Sequence, residues 1–337
     1  MPRIKTNWSQ GLTSPIYIKT GKDSAFWFSP DVEALSAAEG ILSGAELSLY
    51  SATFGSAKIE EYKAKHRLAV EIYASFSGNK TSPSIFECLQ GYDVRNFSLS
   101  DFRNHIASIN KAKLPGVLLD MTINSLEDLA GKEHEMFNSY LGASAYLAHA
   151  HDLVESVFSL AEELQVKSFY SILDKYKSRI EEAQSNTIKS LTEISPLEYS
   201  DKLLNKKMWR RGPYSFFVFS PTVFFRYRAV RYFGTEQFLF FTIQDAVYDN
   251  EFMLKKLKSL ADDTRFRIIA LLKDKGGLQG SEIVDATGLS ASTVSHHMKN
   301  LREAGLVHEE TDGATKYYSL PTDITQTIID AFKEFLL

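Results

Sequence analysis

LSASTVSHHMKNLREAGLV, residues 289–307, is the stretch on which the reading of this chain turns. At 100° per residue Val294, His297, Met298 and Leu301 share one stripe of a helix, and Ser292, Ser295, His296 and Lys299 share the opposite one. The first stripe is core and the second is open. Ser290 is placed to cap this helix, since its hydroxyl can accept from a free backbone N–H of the first turn. Gly288 supplies the permissive residue for a sharp turn out of a short preceding helix over 281–287. A helix face of small hydroxyls, an imidazole and an ammonium, without a bulky apolar residue, suits the major groove of duplex DNA. It equally suits an ordinary solvated helix, so the flanking sequence has to decide.

Downstream, residues 306–310 and 315–320 are two extended runs around Asp312-Gly313, a pair suited to a tight type I′ hairpin. They predict a β-wing. Lys316 near its tip is placed to meet a flanking phosphate, and Tyr317 and Tyr318 alternate across the ribbon, one inward and one outward. Upstream, residues 252–260 and 262–273 read as two helices. Asp262, Asp263 and Thr264 favour the first turn of the second, Phe266, Ile269, Ala270 and Leu272 carry its apolar positions, and Gly276-Gly277 ends it.

LADDTRFRIIALL at 260–272, the helix-turn-helix, AGLV at 304–307 and the YYSL end of the wing together resemble the winged-helix domain of the ArsR family of bacterial repressors. The resemblance covers about residues 250–337. It implies a homodimer that binds a near-palindromic operator in double-stranded DNA under the control of a signal. The family's recognition-helix contacts carry over onto Ala291, Ser292, Thr293, Ser295 and His296, with Lys299 added, and the wing contributes Lys316 and Tyr317. His297 aligns with a position that packs inward. Two departures limit the likeness. The Cys-x-Cys pair of metal-sensing members is replaced by Gln279 and Ser281, and Cys88 is the single cysteine of the chain, so thiolate metal sensing is not expected. The last helix, 323–335, has Asp323, Asp330 and Glu334 but no histidine; its Ile324, Ile328, Phe332 and Phe335 form an apolar stripe for dimer or inter-domain packing.

A chain of 337 residues exceeds what one winged helix needs, so the expected organisation is a domain over 1–250 and a DNA-binding domain over 251–337. The fold class expected is α+β and mainly helical, the larger N-terminal domain containing a few strands. Apolar and charged shares of 44% and 24% fit a folded soluble protein, and no apolar run reaches membrane-spanning length. A cytoplasmic location follows from one cysteine and no signal-peptide pattern at the start. Residues 14–20 read as extended, and 31–51, 60–75, 99–111 and 132–186 as helical. YSFFVFS at 214–220 and QFLFFTI at 237–243 read as buried strands. Trp27-Phe28-Ser29-Pro30 ahead of an apolar helix, and Phe219-Ser220-Pro221-Thr222 after a strand, resemble the larger ArsR-like regulators of Gram-positive bacteria, which carry a long N-terminal domain.

Charge is unevenly spread. Residues 201–231 hold eight cations, among them Lys206, Lys207, Arg210 and Arg211, against Asp201 alone, whereas residues 279–320 hold three cations against six anions. Phosphate neutralisation dominates affinity for duplex DNA, so the basic run either contributes phosphate contacts or pairs with acidic helices of its own domain. Glu133-His134-Glu135 and His149-Ala150-His151-Asp152 with Glu155 could supply metal ligands only if the two stretches pack together, which nothing in the sequence requires. No metal and no cofactor is expected. The phenylalanines at 216, 217, 219, 224, 225, 238, 240 and 241 are core or line a pocket for a small-molecule effector.

The function expected is a dimeric repressor answering to a non-thiolate signal, and not an enzyme. An enzyme or ligand-binding domain fused to a winged helix is the alternative, but no phosphate loop, nucleophile elbow or informative carboxylate pair is present. A winged helix turned protein-binding module would show an apolar anchor where Ser292, Ser295 and His296 stand.

Overall fold

A computed structural model describes residues 12–45, 48–76, 82–121, 125, 127–129, 136–204, 214–225, 229–232, 235–243, 257–312 and 315–321. It is mainly helical with two small sheets. The chain divides into two compact units, Met1–Leu197 with Gly212–Ile243, and Glu198–Arg211 with Gln244–Leu337.

In the first unit the strands are β1 (Ile16–Lys19), β2 (Ser24–Phe28), β3 (Phe216–Thr222), β4 (Ala229–Tyr232) and β5 (Glu236–Thr242). They form one sheet in the order β1-β2-β3-β5-β4. Strands β2, β3 and β5 run parallel, and β1 and β4 close the two edges antiparallel. Parallel strands are covered on both faces and so read as continuous apolar runs, which is why YSFFVFS and QFLFFTI announce themselves. The FSPT segment lies within β3 rather than after it. Pro221 is tolerated there because the pairing with β2 ends at Phe219, and the missing N–H faces the side where β3 has no neighbour.

Helix α1 (Pro30–Leu42) follows an extended Ser29, with Pro30 in its first turn, where a missing N–H costs nothing. Almost all of α1 is buried. After it come α2 (Ser48–Phe54), α3 (Ser56–Lys65), α4 (Arg67–Ala74), α5 (Leu99–Ala107) and α6 (Leu114–Leu118). The single helical span expected over 132–186 is instead α7 (Tyr140–Leu164), α8 (Lys167–Lys175) and the start of α9 (Lys177–Glu193), with α10 (Pro196–Leu204) following. Gln165 marks the first break: its amide donates to Asp31 at 3.1 Å and its carbonyl accepts from the Tyr170 hydroxyl at 2.7 Å. Within α7 the backbone departs from helical geometry at His149, φ −122° and ψ 19°.

Buried polar groups tie the helices to the sheet. Glu33 accepts from the Val223 and Phe224 backbone N–H groups at 2.8–3.0 Å, and burial pushes its carboxyl up to about 8 against the pull of those bonds. Tyr50 donates to the Phe224 carbonyl at 2.9 Å, and a Cβ on Gly40 would sit 1.9 Å from that tyrosine's hydroxyl, so only glycine fits there. Of the eight phenylalanines considered above, seven are buried and Phe216 is partly exposed; Phe216 and Phe238 line a cleft.

The second unit contains α11 (Asp263–Lys275), β6 (Leu278–Gln279), α12 (Gly280–Thr287), α13 (Ala291–Glu303), β7 (His308–Asp312) and β8 (Thr315–Ser319). Its antiparallel sheet has the order β6-β8-β7. Ile268, Leu272, Ile283, Val294, Met298, Leu301, Leu306, Val307 and Tyr318 fill its core. Two expected core positions of α11 are corrected: Phe266 is 61% exposed and Ala270 is exposed, while Ile268 points inward with Leu272. Phe266 and Ala270 lie four residues apart on the face opposite Ile268 and Leu272, so one apolar pattern conceals two faces.

Candidate nucleic-acid interface

The helix-turn-helix is built by local chemistry. At the start of α12 the Gln279 backbone N–H donates to Glu282 Oε2 at 2.7 Å. At its end Gly288 takes the left-handed conformation, φ 68°, and donates to the Val284 carbonyl at 2.9 Å. Ser290 then caps α13, its hydroxyl accepting from the Thr293 backbone N–H at 3.2 Å. The same hydroxyl lies 2.9 Å from that of Ser292 and 2.8 Å from that of Thr293, so two of the expected DNA contacts share in the cap.

Beyond the cap the two stripes separate as their spacing requires. Val294, Met298 and Leu301 are buried, while Ala291, Ser292, Ser295, His296 and Lys299 are exposed and Thr293 is half-buried. His296 is oriented from one turn away, its Nε2 lying 3.2 Å from the Asn300 amide nitrogen. His297 turns inward, with Nδ1 3.8 Å from Asp262. Asp262 caps α11 by accepting from the Arg265 N–H at 2.9 Å; that bond, the Arg265 guanidinium and His297 hold its carboxyl below the usual range.

In the wing, Asp312 faces Thr315, Thr311 faces Lys316, and Glu309 faces Tyr318. Lys316 is therefore one pair in from the turn. Tyr318 is buried and Tyr317 sits on the other face, its hydroxyl accepting from Gln279 Nε2 at 3.1 Å. Through this bond Gln279 joins β6 to the wing. Lys316, expected near the tip to meet a flanking phosphate, is exposed and has its Nζ 3.3 Å from Glu309 Oε1. The same oxygen accepts from Arg302 Nη1 at 2.9 Å. Arg302 and Glu309 were not among the sequence candidates. Arg302, Glu309 and Lys316 lie on α13, β7 and β8, and only the fold brings them together.

Other expectations have different outcomes. Lys206, Lys207, Arg210 and Arg211, the Glu133-His134-Glu135 stretch and the helix expected at 323–335 lie outside the described residues. His149 pairs with Asp152 at 2.8 Å, and Glu155 is taken by Arg103, whose Nε donates to it at 3.0 Å. Among the described residues no group of three or more His, Cys, Asp or Glu could hold a metal ion. Among them, too, no helix is long and apolar enough to cross a membrane.

Residues 262–309 match the sequence pattern of the arsR family of bacterial regulatory proteins. Over 89 residues the chain is 37% identical to YceK of Bacillus subtilis, an uncharacterised HTH-type transcriptional regulator, a stretch spanning 26% of this chain and 89% of that relative. It is 36% identical over 86 residues to the arsenic resistance transcriptional regulator ArsR1 of Pseudomonas putida, spanning 23% of this chain and 67% of the relative. With the transcriptional repressor SdpR of Bacillus subtilis it shares 32% identity over 79 residues, spanning 23% and 87%. Each of these stretches is about the size of the second unit, and through it this chain belongs to the arsR family of bacterial transcriptional regulators.

Proposed function

We propose that the chain is a sequence-specific, dimeric repressor whose recognition helix is α13. The open face of α13, held in place by its buried opposite stripe, carries this reading. In a two-fold dimer the recognition helices would enter successive major grooves about 34–36 Å apart. Ser295, His296 and Lys299 would address base edges, and Ala291, Ser292 and Thr293 would lie against the backbone at the helix start. SdpR, named a transcriptional repressor, supports the direction of control. The basic run at Lys206, Lys207, Arg210 and Arg211 would add phosphate contacts to a reading module that is itself acidic.

The signal is a small molecule, and the first unit offers a place for it. A cleft of about 380 Å³ is lined by Tyr17 and Lys19 of β1, Tyr92 and Arg95, and Phe238 and Glu236 of β5. That volume lies in the range of small-molecule sites, and rings beside a few charged groups are their usual lining. Asp93 engages Arg95 through both oxygens, whereas Lys19 and Glu236 form no ion pair among the described residues. An effector would act by favouring one of two dimer states.

Selection of bound sequences from a random DNA pool with the full chain tests the reading. A palindromic motif is expected, lost when Ser295→Ala and His296→Ala are combined. Failure to enrich any sequence would sink it.

A further inference from the structure

We propose that Arg302 and Lys316 form a binding site for one backbone phosphate of duplex DNA, with Glu309 as the positioning residue behind them. The inference rests on the DNA-binding reading above and adds a site at the junction of the recognition helix and the wing.

Three observations support it. First, both cations converge on a single oxygen: Arg302 Nη1 is 2.9 Å and Lys316 Nζ 3.3 Å from Glu309 Oε1. Second, the three side chains are layered. Glu309 is 11% exposed, while Arg302 and Lys316 are 31% and 43% exposed, so the anion lies inside and the cations outside. The buried Tyr318 stands directly opposite Glu309 on the neighbouring strand. Third, the location is right. Seven residues at 100° each bring Arg302 to about 20° from Ser295 on the helical wheel and about 10 Å further along the axis. The site thus continues the open stripe of α13 and meets the wing at its end.

A guanidinium has five N–H donors and an ammonium three, and one carboxylate oxygen uses one of each. Each cation therefore keeps donors that this oxygen does not take, on side chains that are 31% and 43% exposed. A phosphodiester, with two terminal oxygens, could take one from each cation without displacing Glu309, and the charged donors would make short, strong bonds to it. An ordinary surface ion pair differs in two respects: it does not share one buried acceptor, and it contributes little. Holding two long side chains in one geometry before DNA arrives removes part of the ordering cost of binding. The device also answers a deficit, since residues 279–320 hold only three cations and this site enlists two of them.

The test uses the full chain and a short labelled duplex of random sequence, with affinity measured across a salt series. Arg302→Gln and Lys316→Gln should each reduce the slope of log affinity against log salt by about one and weaken binding evenly across sequences. Arg302→Lys should keep the slope. Glu309→Gln makes the unit more positive, yet should weaken binding several-fold because the cations lose the anion that aligns them. Tighter binding by Glu309→Gln would overturn the positioning role, and unchanged slopes in both Arg302→Gln and Lys316→Gln would overturn the site. Hydrogen exchange over β7 and β8 checks that the wing stays folded, and if Arg302→Gln loosens it, the more exposed Lys316→Gln decides alone. No salt-dependent binding by the unaltered chain would instead strike at the DNA-binding reading itself.

Discussion

The first unit seals Phe26, Trp27, Phe28, Phe219 and Phe224 away from solvent completely, whereas Tyr318 is the one aromatic in the buried core around α13 of the second. The contrast extends to polar groups. In the first unit Glu33 and Glu39 are turned inward and used to fix backbone: Glu39 accepts from Ser84 and the Ile85 N–H at 3.0 Å each. In the second, hydroxyls and an imidazole are turned outward along α13. A reading module needs a core only thick enough to hold one helix at the right angle, and its information lies on the surface. The larger unit holds its chain together with rings and buried carboxylates, so its stability should depend on single interior groups far more than that of its smaller neighbour.

Trp27 offers the severest way to break that contrast. Its ring stands 5.4 Å from Phe97, 6.1 Å from Phe240 and 6.4 Å from Phe238, centroid to centroid. Trp27→Ala should destabilise the first unit by about 3–5 kcal/mol in denaturant unfolding. A loss below about 1 kcal/mol would mean the aromatic interior is not the main support. Glu33→Gln should cost about 1–3 kcal/mol, because the amide NH₂ would face a backbone donor. Protonation adds a second handle on the same group. Its folded value, about 8, lies above the ordinary 4.5, so its contribution is fully present below pH 4.5 and declines as pH rises toward 8. Comparing melting at the two ends of that window in the unaltered chain and in Glu33→Gln should show part of the pH dependence vanish. The smallest effect belongs to the second unit: Ser290→Ala should cost about 1 kcal/mol through the lost cap, read as faster hydrogen exchange in the first turn of α13.

Legibility in the sequence follows the same division. Ser290, Gly288 and the Val294–Met298–Leu301 stripe act over four or five residues, so periodicity and cap chemistry disclose them. The break at Gln165 escapes because Asp31, which holds it, is 134 positions away. Strand β2 escapes because SAFWF is short and its partner β3 is remote in sequence. Phe266 escapes since helical spacing identifies an apolar face without saying which of two faces is inward. Arg302 and Glu309 lay hidden for a related reason. Each looks like a solvated charge until the pairing of β7 with β8 sets Glu309 opposite Tyr318 and so diagonal to Lys316, and the fold brings Arg302 to the same carboxylate.

The order in which the sheet of the first unit is threaded sets a timetable. Strand β2 has its parallel partner in β3, and Glu33, just after β2, waits for the N–H of Val223, 190 residues later. A ribosome adding about 5–20 residues per second needs on the order of 10–40 s to cover that gap. Through that interval the apolar SAFWF strand exists in a nascent chain that cannot yet complete its sheet. Such non-local pairing is slow even in a finished chain. The segment that matches the arsR family is synthesised after the last strand of that sheet, so the slow non-local pairing of the larger unit can begin before that segment exists.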